Sequence, residues 1–426
     1  MRRRNLLSIG FTAFVAMATL AAGLGLAFVV TTGEPGQLKL APAVHAAAGQ
    51  NPGRVLHPVK TSPAPSHGGR PLAVDWRVLE AVRYENLLVF PVVTAITADT
   101  SGFATLDEAL VAGDVIVAEG GSEILRSRDG RRIPIRSGAQ VNQLVLVNRG
   151  KRAVVLLAGE VVSGGKQDRV ISKDRIVAPG AEPLPLDVFC VERGRWSGAT
   201  AQFSESKFMA HPSVREKAAV DKAQDQVWAA VRNGSTAAVA STEAVAGSVG
   251  LAGGPAGAPT TAARLPRREL DSVVAAEAQS ESYGKIYGSS RVRHSIEHFA
   301  EELARRFQRA TAGLKGERVV GVVVAYNGEV AWSDIFASGA LFDRYWPKLL
   351  RSYVVEALAR PQTREAATLA DAREFLAPLS GRETIESEPG VYRWRETSSG
   401  HYAQIELDSL LGRVFTLHRV KIHRTS

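Results

Sequence analysis

The chain has 426 residues, 45% of them hydrophobic and 22% charged, with a formal net charge of +9. That balance excludes a wholly disordered polypeptide and leaves room for one large core or two medium ones. The single cysteine, Cys190, excludes an intramolecular disulfide. Because Arg2, Arg3, Arg4 and Lys39 against Glu34 already account for +3, the remainder is too mildly basic for a nucleic-acid partner to be expected.

In chain order the first feature is an export segment. Met1-Arg2-Arg3-Arg4 precedes a stretch from Asn5 to Thr32 without a charged side chain. That stretch exceeds the roughly 7–15 apolar residues of a signal peptide and reaches the roughly 20 that span a bilayer. Small residues at Val44-His45-Ala46 before Ala47-Ala48 offer a peptidase site, so residues 1–46 read either as a cleaved signal or as a retained membrane anchor. In both cases the arginines hold the N-terminus inside and send the rest across, so the expected location is periplasmic or secreted. Arg3-Arg4-Asn5-Leu6-Leu7 also resembles a twin-arginine signal. Residues 47–71 are rich in Pro, Ala, Gly, Ser and His and read as a flexible spacer before a folded domain over 72–426.

Within that domain, short β-branched runs separated by turn signals predict strands at Leu87–Val93, Val115–Ala118, Gln143–Val147, Ala153–Leu157, Val170–Val177 and Leu186–Val191. Thr105 followed by Leu106 to Leu110 and then Gly113 predicts one short capped helix among them. Helical spacing returns at Val214–Val231. Residues 233–262, poor in large apolar side chains, read as a low-complexity insertion. Helices are expected at Glu269–Tyr287, Val292–Gly313 and Leu341–Ala359, and a strand pair at Val319–Ala325 and Glu329–Phe336 across Asn327-Gly328. The ending predicts strands at Val391–Glu396, His401–Leu407 and Arg413–His423. The fold class is therefore α+β, a largely antiparallel sheet or sandwich with packed helices. Ala153–Val161 echoes Val322–Val330, each an apolar run leading into Gly-Glu-Val, through chance or through two related halves.

Three polar clusters interrupt the apolar pattern. In Gly159-Glu160-Val161-Val162-Ser163-Gly164-Gly165-Lys166-Gln167-Asp168-Arg169, a double glycine frees backbone amides that, with Lys166, Gln167 and Arg169, could cradle an anion. The spacing is not that of a Walker loop. Cys190-Val191-Glu192-Arg193-Gly194-Arg195-Trp196 offers Glu192 as acid or base, Arg195 as an anion clamp and Trp196 as a flat platform; Cys190 itself reads as a buried small hydrophobe. In the third cluster, strand alternation sends Glu329 away from Val330 and Trp332, with Asp334 near the strand end, and the helix that follows lets Lys348, Arg351 and Ser352 share a face. For each cluster the alternative is a solvated turn, rim or helix flank. His294 and His298 lie one helical turn apart without the glutamate of a zinc-protease motif, and no metal site is expected.

Together, Tyr84-Glu85-Asn86-Leu87-Leu88-Val89-Phe90-Pro91, Leu106-Asp107-Glu108-Ala109-Leu110 and these Gly-Glu and Cys-Val-Glu clusters resemble a bacterial domain family named for its association with ADP-ribosylglycohydrolases and rhodanese-phosphatase superfamily proteins. The resemblance spans about Val78 to His418. It implies a setting in ADP-ribose or nucleotide-linked processes and carries over no catalytic residue or cofactor. The residues leave two function classes open. One is an exported binding or interaction domain for a small-molecule or protein ligand, touching the membrane through its N-terminal segment if that is kept. The other is a hydrolase or transferase for a phosphate- or sugar-containing substrate, with Glu160, Glu192 or Glu329 as acid or base.

Overall fold

The computed structural model describes residues 76–120, 142–192, 200–234, 290–360 and 365–424. The export segment, the spacer, the expected helix Glu269–Tyr287 and nearly all of the low-complexity stretch fall outside these residues.

The strands follow the β-branched runs. The first part of the chain forms β1 (Arg77–Val78), β2 (Val82–Tyr84), β3 (Leu87–Thr94), β4 (Phe103–Thr105), β5 (Val115–Glu119), β6 (Gln143–Asn148), β7 (Ala153–Leu156), β8 (Glu160–Gly164), β9 (Arg169–Ile171), β10 (Arg175–Val177), β11 (Leu184–Cys190) and β12 (Gln202–Met209). The second part adds β13 (Arg318–Tyr326), β14 (Glu329–Phe336), β15 (Arg382–Glu388), β16 (Tyr392–Ser399), β17 (Tyr402–Ser409) and β18 (Phe415–His423). Helices are α1 (Leu106–Val111), α2 (Pro212–Glu216), α3 (224–234), α4 (Ser290–Thr311), α5 (Gly339–Ala359) and α6 (Leu369–Phe375). Helix α1 begins where Thr105 and Glu108 form a reciprocal capping box, each side-chain oxygen accepting from the other's backbone N–H.

The architecture is α+β, and among the described residues all strand pairs but one are antiparallel. A nine-stranded sheet runs β1-β3-β13-β14-β18-β17-β16-β15, with β2 also on β3. Six strands close a small barrel in the order β11-β6-β5-β12-β8-β9, and β10-β7-β4 form a third sheet holding the parallel pair, β4 with β7.

The three largest apolar clusters follow from this alternation. Val117, Leu146, Val162, Ile171, Val188 and Phe203 fill one cluster, drawn from all six barrel strands. Their neighbours Val161, Val170 and Phe189 belong instead to the largest cluster, with Val324, Trp332, Ile405 and Val420 of the large sheet and the buried stripes of α4 and α5. The opposite face of the large sheet buries Phe90, Val323 and Ile335 against Ala372 and Phe375 of α6.

Two expected elements break. Val170–Val177 is split between β9 and β10 because the chain turns at Ser172–Asp174, where Asp174 enters a buried ion network. Val214–Val231 is divided among α2, a π-helical turn at Lys217–Asp221 and α3, because Lys222 takes a left-handed conformation with φ 54°. The two echoing segments do not form matching units: β13 and β14 make a hairpin, whereas β7 and β8 go to different sheets.

Candidate functional site

The barrel register decides which polar residues meet. Val162 of β8 faces Arg169 of β9, and Arg169 faces Cys190 of β11. Glu192, two residues past Cys190, therefore lies level with Gly164 at the end of β8. Lys166 and Gln167 belong to the turn that joins β8 to β9, and Arg169 opens β9. Four of the sequence-derived candidates thus gather at one barrel end.

The double glycine is what permits that turn. Gly164 (φ 137°) and Gly165 (φ 53°) lie in regions L-residues avoid, and a Cβ would sit 2.5 Å from the Gln202 carbonyl oxygen or 2.4 Å from the Phe203 ring. The freed amides are taken up by the protein's own acids: Gly164 N–H donates to Asp168 Oδ1 at 3.2 Å, and Lys166 N–H donates to Glu119 Oε1 at 2.8 Å. Arg169, 2% exposed, donates through Nη1 to the Gln167 carbonyl at 3.0 Å. Glu192 is buried and accepts a long contact, 3.4 Å, from Asp168 N–H. Burial pushes the Cys190 thiol up, which keeps it protonated and poorly nucleophilic. The Lys166 side chain, 42% exposed, carries the cation of this cluster to the surface.

The other candidates lie elsewhere. Glu160 starts β8, four residues before Gly164, which places it on the order of 13 Å along the strand from the level of Glu192 at about 3.3 Å per residue. It is fully buried beneath α5, its Oε1 2.6 Å from Lys348 Nζ and its Oε2 accepting from Leu157 N–H at 2.7 Å. Lys348 also meets Asp107 at 2.7 Å. Burial would lower the amine, but these two carboxylates outweigh it and raise its pKa. Glu329 is exposed at the foot of the β13–β14 hairpin, 2.6 Å from His423 Nδ1. Arg195 and Trp196 lie outside the described residues. Lys348, Arg351 and Ser352 part company on α5: Arg351 pairs with Glu297, and the Ser352 hydroxyl donates to the Ala210 carbonyl.

A second polar centre joins Asp334 and Trp332 of the third cluster to Arg215, Asp174 and His418, which belong to none of the three. Arg215 of α2 donates through both Nη atoms to Asp334 of β14, at 2.9 and 2.8 Å. Trp332 Nε1–H donates to the same carboxylate at 2.8 Å, and so does the Tyr353 hydroxyl. His418 of β18 bridges two acids, its Nε2 3.2 Å from Asp334 and its Nδ1 2.6 Å from Asp174. Asp174 in turn accepts from Ala158 N–H at 2.7 Å. Gly159 (φ 97°) leaves room for Arg215, whose Cγ would lie 2.3 Å from a Cβ there.

The electrostatics of this centre are those of a closed network. Burial alone would push Asp334 up, yet Arg215 and His418 outweigh it and hold the carboxyl well below the usual range. Burial likewise opposes the His418 charge, but Asp174 and Asp334 raise its pKa to about 9, so the imidazolium persists at neutral pH. A charged, doubly anchored imidazole has no lone pair to act as a base. The available signal in the sequence was a charge inside each apolar strand, Asp334 between Trp332 and Phe336 and His418 between Leu417 and Val420, both set to face the core.

No group of three or more potential metal ligands occurs among the described residues, and His294 and His298 are both exposed. A surface cleft of about 420 Å³ lies beside Trp76, Arg77, Glu317 and Arg373 and holds none of the candidate residues.

The fold and its polar centres define a mixed α+β domain in which a small antiparallel barrel is joined to a large sheet by a buried ion network. The chain belongs to the family described as the ARG and Rhodanese-Phosphatase-superfamily-associated Protein domain, ARPP-1, whose model matches residues 75–424. No curated protein and no solved structure matches it.

Proposed function

We propose that this ARPP-1 chain is an exported binding or interaction domain, which holds its ligand at the barrel end marked by Lys166, Gln167, Arg169 and Glu192. Support comes chiefly from the spacing of the carboxylates. Two that hydrolyse a glycosidic bond stand about 5–10 Å apart, whereas Glu160 and Glu192 are separated by more than that along the strand alone. Glu160 is also committed to Lys348, and the protonated Cys190 supplies no thiolate. Among the described residues, what the barrel end offers at its surface is the Lys166 ammonium, 3.9 Å from Glu119 Oε2, beside the buried Gln167, Arg169 and Glu192; Arg195 and Trp196 follow Glu192 by three and four positions in the sequence.

Export rests on the three arginines and the uncharged run that follows them. No helix among the described residues is long and apolar enough to cross a membrane, so any anchor is sought in residues 1–46. Alkaline phosphatase fused after residue 424 is expected to be active in cells carrying the full chain and inactive when residues 2–46 are deleted. Equal activity from both fusions would contradict export.

Ligand class is tested by thermal shift of the purified chain against nucleotides, ADP-ribose, sugars and acidic peptides. A ligand at a hundredfold excess over its Kd stabilises by about 2.7 kcal/mol. One class is expected to raise the midpoint of the wild type and to do so less for Lys166→Ala, with no conversion of the ligand. Turnover that disappears in Glu192→Gln would overturn the binding reading in favour of a hydrolase or transferase.

A further inference from the structure

Strand β15 ends the nine-stranded sheet, and among the described residues no strand pairs with its outer side. Its sequence, Arg382-Glu383-Thr384-Ile385-Glu386-Ser387-Glu388, is exposed at six of seven positions, and Ile385 is 55% exposed. Proteins usually guard such an edge with charges that repel another strand. Here two of the four charges, Glu386 and Glu388, are already paired from within. Glu386 and Glu388 lie on the same face as Trp394 and Tyr392, their partners on β16. There Lys173 holds Glu386, and Arg175 lies 3.4 Å from Glu388.

The strand is self-complementary when turned upon itself. In an antiparallel pair centred on Ile385, Arg382 faces Glu388 of the second copy, Glu383 faces its Ser387, Thr384 faces its Glu386, and Ile385 faces itself. No like charges meet. A shift of one residue in either direction sets Glu383 against Glu388 or Glu386. A two-residue shift sets Glu386 against itself or Ile385 against Glu383. Opposite charges and apolar pairs across strands are each worth roughly 0.2–1 kcal/mol, and like charges cost a similar amount, so the centred register is the favoured one.

We propose that two copies of this chain associate through β15 about a two-fold axis at Ile385, joining their nine-stranded sheets into one. The contact is isologous, as a two-fold dimer requires. Each Arg382 adds a second cation to the Arg175–Glu388 pair of the other copy, and the exposed isoleucines cover one another. Seven residues per side bury less than a permanent interface, below roughly 1,200 Å² in total, so the dimer forms reversibly with concentration. This association is independent of any ligand at the barrel end.

Cysteine cross-linking of the full chain reads the register directly, since the native Cys190 is 1% exposed. Directly opposed Cβ atoms lie about 4.5–5.5 Å apart, near the spacing a disulfide needs. Ile385→Cys is expected to give a covalent dimer under mild oxidation. Arg382→Cys alone is expected to give none, because its counterpart lies about 20 Å away along the strands, while a mixture of Arg382→Cys and Glu388→Cys chains cross-links. A monomeric Ile385→Cys, or equal cross-linking by Arg382→Cys alone, overturns the proposal. Sedimentation of wild type and Arg382→Glu supplies the second measurement: the charge reversal, at an exposed position, is expected to weaken dimerisation at least fivefold with an unchanged melting midpoint. Unchanged dimerisation counts against this register.

Discussion

Asp334 concentrates more hydrogen bonds than any other side chain described above. Its two oxygens accept from Arg215 twice, from Trp332 and from Tyr353, and meet His418. Replacing it with asparagine keeps the volume but leaves Arg215, 1% exposed, without its anion. Removing one partner of a buried pair costs about 3–5 kcal/mol, so Asp334→Asn is expected to lower the unfolding free energy by that amount in urea titration. Glu160→Gln should cost less, about 1–3 kcal/mol, because Lys348 keeps Asp107. The reverse order would mean that Glu160, not Asp334, is the principal buried anchor. Lys166→Ala, on a half-exposed side chain, should change stability by no more than about 0.5 kcal/mol, so that its effect on ligand binding can be read separately.

At the scale of elements, two short turns set the positions of larger parts. Thr105→Ala removes one half of the α1 capping box and is expected to cost about 1 kcal/mol. Gly159→Ala is expected to cost more, because it combines positive φ with a collision against the buried Arg215 side chain; paired unfolding curves would show the difference. These elements also mark what could be read from the chain itself. The strands β3, β5, β6, β13 and β14 and the helices α1, α4 and α5 announce themselves through β-branched runs, helical spacing and caps. In contrast, β12, β15 and α6 were not anticipated. The first two carry Gln202-Phe203-Ser204-Glu205 and Arg382-Glu383-Thr384, polar stretches whose strand form comes from pairing with β8 and β16. For the site, the Gly164-Gly165 turn and the nearby Cys190-Val191-Glu192 segment were legible as clusters, and barrel closure brings them together. Glu160 belonged to the same short stretch of sequence, yet the strand carries it to the other end. Local spacing says nothing about such distances, nor about the long-range meeting of Arg215, Asp334, His418 and Asp174.

Across the whole molecule, that meeting ties the turn at Asp174 to the large sheet through His418. The imidazole sits between Asp174 and Asp334, whose carboxylate it shares with Arg215 and Tyr353, and against the Phe336 ring with centroids 4.5 Å apart. A pKa raised from 6.5 to about 9 means that the charged ring favours folding fully below pH 6.5 and that this contribution fades as pH rises through about 9. At about 1.4 kcal/mol per unit, the loss is about 3 kcal/mol. The melting midpoint of the wild type is therefore expected to fall between pH 7 and pH 9.5, with a flatter profile for His418→Gln, a difference that melting curves across that range would reveal. The barrel offers its own readout through Cys190, the chain's lone thiol, 1% exposed on β11 between β6 and β9. A thiol reagent reaches that sulfur only when β11 separates from a neighbour. Its labelling rate under native conditions thus acts as a gauge of barrel opening, and comparison with global unfolding would tell whether barrel and sheet come apart as one cooperative unit or as two.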